Sequence, residues 1–152
     1  MPLEESTQPK SLREVVELRV GQINGCGFCV DIHTKEAAAG ETALRLNLVA
    51  VWRHSTVFTD VERAALALAE EGTRLGDHGV SDETWAEVRK HFDDDRVGAL
   101  VCLVALINAA TRMNVIVDLG PERRPWAEAM ESAHGLGQRA RNRDRNRARI
   151  QR

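Results

Sequence analysis

SLREVVELRVGQINGCGFCVDIH, residues 11–33, holds the pattern from which the fold can be read. Leu12, Val15, Val16, Val20 and Ile23 recur at the three-and-four spacing of a helix with one apolar face, which predicts a helix over 11–24. Ser11-x-x-Glu14 at its start has the form of a capping box, and Asn24-Gly25 at its end is a helix stop. A second helix then follows over 26–39 and ends at Gly40, so two helices meet at a tight turn.

The same signals continue down the chain without a convincing strand. A third helix is expected over 41–52, followed by a connection through Arg53, His54 and Ser55. The fourth, 60–75, opens on the capping box Thr59-x-x-Glu62, and Asp77-His78-Gly79 turns the chain toward a short fifth helix capped by Ser81 and running to Phe92. Asp93-Asp94-Asp95 precedes the most apolar helix, 96–118, stopped by Leu119-Gly120-Pro121, and an amphipathic piece is expected over 124–133. The fold class is therefore all-α, a single domain of six or seven helices over 11–134. A short extension, 1–10, precedes it, and an Arg-rich, disordered tail, 135–152, follows.

Composition agrees with this. At 152 residues the chain can bury about 70% of the surface its unfolded form exposes, so no disulfide or structural metal is needed for a core. Aromatic residues make up only 4%, and with four Pro this favours helices over sheets. The longest apolar run, 97–107, is shorter than the roughly 20 residues of a bilayer span and reads as a buried core helix. Residues 1–10 carry Glu4 and Glu5 and no apolar block, so no secretory signal is read there; the expected compartment is the cytoplasm, with no membrane partner. Net charge is −2, but seven Arg from Arg139 to Arg152 stand against Asp144 alone, so the body is acidic. Only the tail could attract phosphates, and nucleic acid is not an expected partner.

Chemistry points to the cysteines. Cys102 lies inside the apolar run and reads as a small buried hydrophobe. Cys26 and Cys29 are spaced C-x-x-C just after a helix stop, where free N–H groups and the helix dipole favour a thiolate. Residues three apart on a helix are neighbours, so a disulfide is within reach; it closes too small a loop to add much stability, which leaves redox chemistry as its better reason. His33 follows one turn after Cys29, placed to take a thiol proton or to hold a thiolate. Zinc is the competing reading: Cys26, Cys29 and His33 supply three ligands, and His54 or His78 would have to supply a fourth. No metal or cofactor is expected on balance. A carboxylate to orient the histidine could be Glu14 or Glu17; the rise along an antiparallel hairpin prefers Glu17, whereas Glu14 shares a stripe with Leu18, Gly21 and Gly25, where a second helix could come close. Trp52 beside Arg53 reads as core packing rather than a substrate entrance.

The residues from Glu14 to Arg19, from Gln22 to Thr34, Val51-Trp52-Arg53 and from Phe58 to Ala65, with Ile107-Asn108-Ala109 and Met113-Asn114-Val115 more weakly, resemble the alkylhydroperoxidase D-like family of the carboxymuconolactone decarboxylase superfamily. That resemblance implies an all-helical domain, a homo-oligomer (trimer or hexamer), and a dithiol that reduces hydroperoxides at the expense of an external dithiol of the lipoamide or thioredoxin kind. It also implies Cys29 as the attacking sulfur, Cys26 as its resolving partner, and Glu14, twelve residues before Cys26, in the proton relay with His33. The chain departs from the alkylhydroperoxidase D proteins at Gly27-Phe28, where they carry a histidine between the cysteines, at Gly21 for a frequent Ser, and at Ala110-Thr111 for a frequent Trp-Asn. A second reading follows from those departures: a thiol redox sensor or oligomeric interaction protein that uses the same dithiol without turnover.

Overall fold

A computed structural model describes residues 8–118. Six α-helices run in order: α1 Lys10–Asn24, α2 Gly27–Ala37, α3 Ala43–Leu48, α4 Asp60–Arg74, α5 Asp82–His91 and α6 Asp94–Ile116. A 3-10 helix, Val49–His54, follows α3 directly and is itself kinked at Val51 (φ −123°, ψ 27°), where a single helix over 41–52 had been expected. No strand occurs among the described residues. The amphipathic piece at 124–133 and the Arg-rich tail lie outside the described residues.

The long helix α1 is the hub. It packs on α2, α4 and α6, and Leu12, Val15, Val16, Leu18 and Val20 are all buried. Around them sit Ala64, Ala65, Leu66, Leu68 and Ala69 of α4, Leu100, Val104 and Ile107 of α6, Val88 of α5 and Phe92 at its end. Short alanines on α4 keep helix–helix distances small, and each larger aliphatic side chain removed from water contributes about 1.5–3 kcal/mol.

Capping explains where the helices start. Thr59 and Glu62 form the reciprocal box expected of them, and Ser81 and Asp93 cap α5 and α6. The Ser11/Glu14 box does not form. α1 begins at Lys10, one residue before Ser11, so its N-cap is Pro9, whose side chain cannot accept a hydrogen bond, and Glu14, 5% exposed, pairs with Lys10 Nζ. The expected extension is also shorter than read: Gln8 is buried and its Nε2 donates to the Arg96 carbonyl at 2.7 Å.

Two corrections concern α6. Cys102 is exposed, not buried. The helix turns only Leu100, Val104, Ile107, Asn108 and Thr111 inward, and Cys102, Leu106, Ala109, Met113 and Ile116 form a second stripe, four and three residues apart, on the outer side. Among the described residues α6 is also the one helix long and apolar enough, by length and composition, to cross a membrane, which the shorter run at 97–107 had not suggested. It is nonetheless a packed helix with a polar seam. Asn108 donates to Thr73 Oγ1 at 3.0 Å, and Asn24 donates to Asn108 Oδ1 at 2.9 Å and to Thr111 Oγ1 at 2.7 Å.

Glu70 ties the 3-10 segment to the core. Its buried carboxylate accepts from Arg19 Nε at 2.8 Å, Trp52 Nε1 at 3.0 Å and Arg53 Nη2 at 3.0 Å. Trp52 is thus a core residue, 3% exposed, with Arg53 stacked 4.3 Å from its ring. Burial would raise the Glu70 carboxyl, but the hydrogen bonds from Arg19, Trp52 and Arg53 outweigh it and hold the group below the usual carboxylate range. A lowered folded pKa contributes stability above the unfolded-chain value that is lost as pH falls through the folded one. Glu70→Gln is therefore expected to cost about 2 kcal/mol in urea unfolding at pH 7, and the gap to the native chain should narrow as the pH is lowered past about 4. A gap that stays constant with pH would contradict this account.

Candidate active site

Gly25, in the left-handed conformation (φ 67°), ends α1, and the N–H of Cys26 returns to the Gly21 carbonyl at 3.0 Å. The chain leaves this turn directly into α2, with Cys26 as its N-cap. Cys26 Sγ accepts from the Cys29 N–H at 3.2 Å, doing with sulfur what Ser or Asp oxygen does elsewhere. Gly21 lies under this contact: a Cβ there would stand 3.4 Å from Cys29 Cβ and 3.5 Å from Val30 Cγ2, so a larger side chain would push α2 off α1. The expectation of close approach holds at Gly21, whereas at Gly25 the glycine serves the turn, with no atom near enough to crowd a side chain.

Cys26 and Cys29 are joined as a disulfide with their Cα atoms 5.3 Å apart, and both are buried, 2% and 4% exposed. Asn114, from the last turn of α6, donates Nδ2–H to Cys29 Sγ at 3.2 Å. Each sulfur therefore has one N–H donor. Asn114 was given no role by sequence reasoning; its trace there was its place in Met113-Asn114-Val115, one of the weaker stretches of the family resemblance.

His33 sits one turn beyond Cys29 on α2, with its side chain 15% exposed. Its Nδ1 lies 3.4 Å from Glu17 Oε2 on α1 and 3.4 Å from Glu36 Oε2 on its own helix. The structure thus sets Glu17, not Glu14, against the histidine, as the rise along the hairpin suggested and the family resemblance did not. Glu14 stays one turn earlier, with Oε1 3.2 Å from Lys10 Nζ but aligned with no hydrogen-bond donor. Burial pushes the Glu17 carboxyl up; His33 and Arg13 pull it back, and the charges of Glu36 and Glu14 add to the rise. Glu36 was also missed, although an acid three residues after His33 is a legible helical neighbour. His54 and His78 are exposed, and neither joins the cysteines. Among the described residues, the set of His, Cys, Asp and Glu whose ligand atoms converge is Glu17, His33 and Glu36, all within 4.8 Å.

Such a site can cycle a dithiol and a disulfide, with two donors to hold negative charge on sulfur and an imidazole a turn away to move protons. Comparison with known proteins places the chain in a family. The profile of the carboxymuconolactone decarboxylase family matches residues 3–71. The uncharacterized protein YdfG of Bacillus subtilis is 35% identical over 120 residues, covering 76% of this chain and 82% of its own. A solved structure from Agrobacterium tumefaciens, a protein of unknown function named as a candidate AhpD antioxidant defence protein, superposes with a TM-score of 0.71 at 34% identity, over 74% of this chain and 77% of that one. A peroxidase-related protein from Silicibacter shares the fold, with a TM-score of 0.65 at 24% identity over 75% of this chain and 60% of that one.

If Asn114 steadies charge on Cys29, removing its amide should slow the sulfur as a nucleophile. In reduced Cys26→Ser protein, Asn114→Ala is expected to lower the rate of iodoacetamide alkylation at pH 7 by about five- to tenfold, the factor for losing a hydrogen bond of about 1–1.5 kcal/mol to a thiolate. An unchanged rate would remove Asn114 from the sulfur chemistry.

Proposed function

Since the chain belongs to the carboxymuconolactone decarboxylase family and carries a bonded Cys26–Cys29 pair at a helix start, we propose that it is a thiol peroxidase of the alkyl hydroperoxide reductase type. The observation that carries this reading is the pair itself: two sulfurs each held by an N–H donor, one turn from a histidine flanked by carboxylates. His33 takes the proton of Cys29. The thiolate attacks one oxygen of the hydroperoxide, the O–O bond breaks, and the proton passes to the departing oxygen, giving an alcohol or water and a Cys29 sulfenic acid. Cys26 attacks that sulfur, water leaves, and the disulfide forms; an external dithiol then reduces it and is itself oxidised.

Glu17 is the carboxylate that the geometry favours as His33's partner, and Glu14 is the one that the family pattern favours. With its carboxyl pushed up by burial, Glu17 is suited to passing a proton to and from the imidazole. The reductant belongs to the lipoamide or thioredoxin class, and the reducing cytoplasm is the compartment in which such a cycle can run.

The outer stripe of α6 supports a homo-oligomer, a trimer or hexamer. Leu106 and Met113 are 63% and 61% exposed, and Ile116 is 82% exposed, a patch that a chain working alone would rarely present. Two observations favour the non-turnover alternative: Gly27-Phe28 puts no histidine between the cysteines, and both sulfurs are buried.

Steady-state consumption of an alkyl hydroperoxide with dihydrolipoamide as donor separates the two, because a sensor would oxidise once and stop. Cys29→Ser is expected to abolish turnover, and Glu17→Gln to reduce it by about 10²-fold, more than Glu14→Gln does; the reverse order would return the relay to Glu14. The double variant Leu106→Glu/Met113→Glu should shift the mass in light scattering to that of one chain, and an unaltered oligomer would exclude this face as the contact.

A further inference from the structure

The three groups around His33 Nδ1 make an odd arrangement for proton sharing. Nδ1 is sealed from solvent yet is in hydrogen-bonding alignment with neither carboxylate, although an oxygen of each lies 3.4 Å away. Three acceptor atoms have thus been turned toward one point. Their separation has a simple reading: for donors about 2.0–2.1 Å from a tetrahedral zinc ion, ligand atoms stand about 3.3–3.4 Å apart. Two of the three edges match this; the third, between the two carboxylates, is within 4.8 Å, wider than a tetrahedral edge, and the exposed Glu36 side chain would have to swing inward to close it. The surrounding charge also favours a cation. Glu14 adds a third carboxylate near Glu17, and the facing positive groups are Arg13, which acts on Glu17, and Lys10, which is taken up by Glu14. Lys35, on α2 itself, is paired with Asp31.

We propose that Glu17, His33 and Glu36 form a three-ligand site for a divalent transition-metal ion of the zinc class, with water in the fourth position. Glu36, 58% exposed, gives the ion its way in, and Glu17 and His33 supply the buried half. The cysteines are not needed as ligands, so the disulfide form binds as well. A consequence rests on the peroxidase reading: an imidazole with metal on Nδ1 keeps its proton on Nε2 and has no lone pair left to take one from Cys29, so the seated ion holds the enzyme off.

The test is Zn2+ binding to the fully oxidised protein by calorimetry, with Co2+ and its visible absorption as the spectroscopic probe. One ion per chain is expected, bound at least roughly tenfold more weakly in Glu36→Gln and in Glu17→Gln and unaltered in Cys26→Ser/Cys29→Ser. Glu36→Gln changes an exposed side chain and so tests the ligand without threatening the fold. Failure of the oxidised protein to bind, affinity in the two Glu variants equal to that of the native chain, or loss of binding in the cysteine variant would overturn the site. Binding is read on oxidised protein, which consumes no peroxide, and turnover is read on chelator-treated, metal-free protein, so a null result in the turnover assay bears on the peroxidase reading alone.

Discussion

The contact between α1 and α2 at Gly21 is the constraint on which the site depends. A left-handed residue at Gly25 reverses the chain within two residues, and the missing side chain at Gly21 lets Cys29 and Val30 come within van der Waals reach of α1. That approach fixes three things together. It buries both sulfurs, sets Cys26 as the cap of α2, and brings α2 alongside α1 so that His33 meets Glu17. A wider hairpin would lose all three at once, because each depends on the same helix spacing.

Polar groups hold this arrangement in place from behind. Asn24, the last residue of α1, is tied to Asn108 and Thr111 of α6, and the same helix carries Asn114 to Cys29. Buried amides and hydroxyls cost free energy unless paired, so this seam admits few alternatives to the observed rotation of α6 about its axis. The rotation in turn decides which stripe faces outward, and so why Cys102 is exposed on the most apolar helix of the chain.

Much of this was legible in the sequence, and the misses have physical causes. The all-helical class, the stop at Gly25, the boxes and caps at Thr59 and Ser81, and the C-x-x-C-x-x-x-H pattern are local, and local patterns survive into the fold. The Ser11/Glu14 box failed because α1 starts one residue earlier, at Lys10 behind Pro9, which puts Ser11 inside the helix rather than at its N-cap. Cys102 was misjudged because an apolar run says that a helix is hydrophobic on all sides without saying which side meets this chain. The role of Asn114 could not be read from its place in Met113-Asn114-Val115: it comes to Cys29 from 85 residues away. The choice of Glu17 over Glu14 lay between these cases, since helical rise pointed to it while the resemblance pointed past it.

Stability does not account for the disulfide. A bridge between residues three apart removes little entropy from the unfolded chain, and α1 already anchors the hairpin through a row of buried aliphatic side chains. What the two positions share is access to donors, and the donors differ in kind. Cys26 receives a backbone N–H that exists whenever α2 is formed, so charge on that sulfur is favoured by the helix itself. Cys29 receives a side-chain amide from another helix and has the histidine on its own face one turn away. A sulfur that must lose a proton, attack and then be attacked needs groups that can adjust as its charge changes, which a side-chain amide and an imidazole can do. A sulfur that acts as partner and leaving group is served by a fixed dipole. The proposal that Cys29 attacks and Cys26 resolves draws on this difference between the neighbours of the two sulfurs.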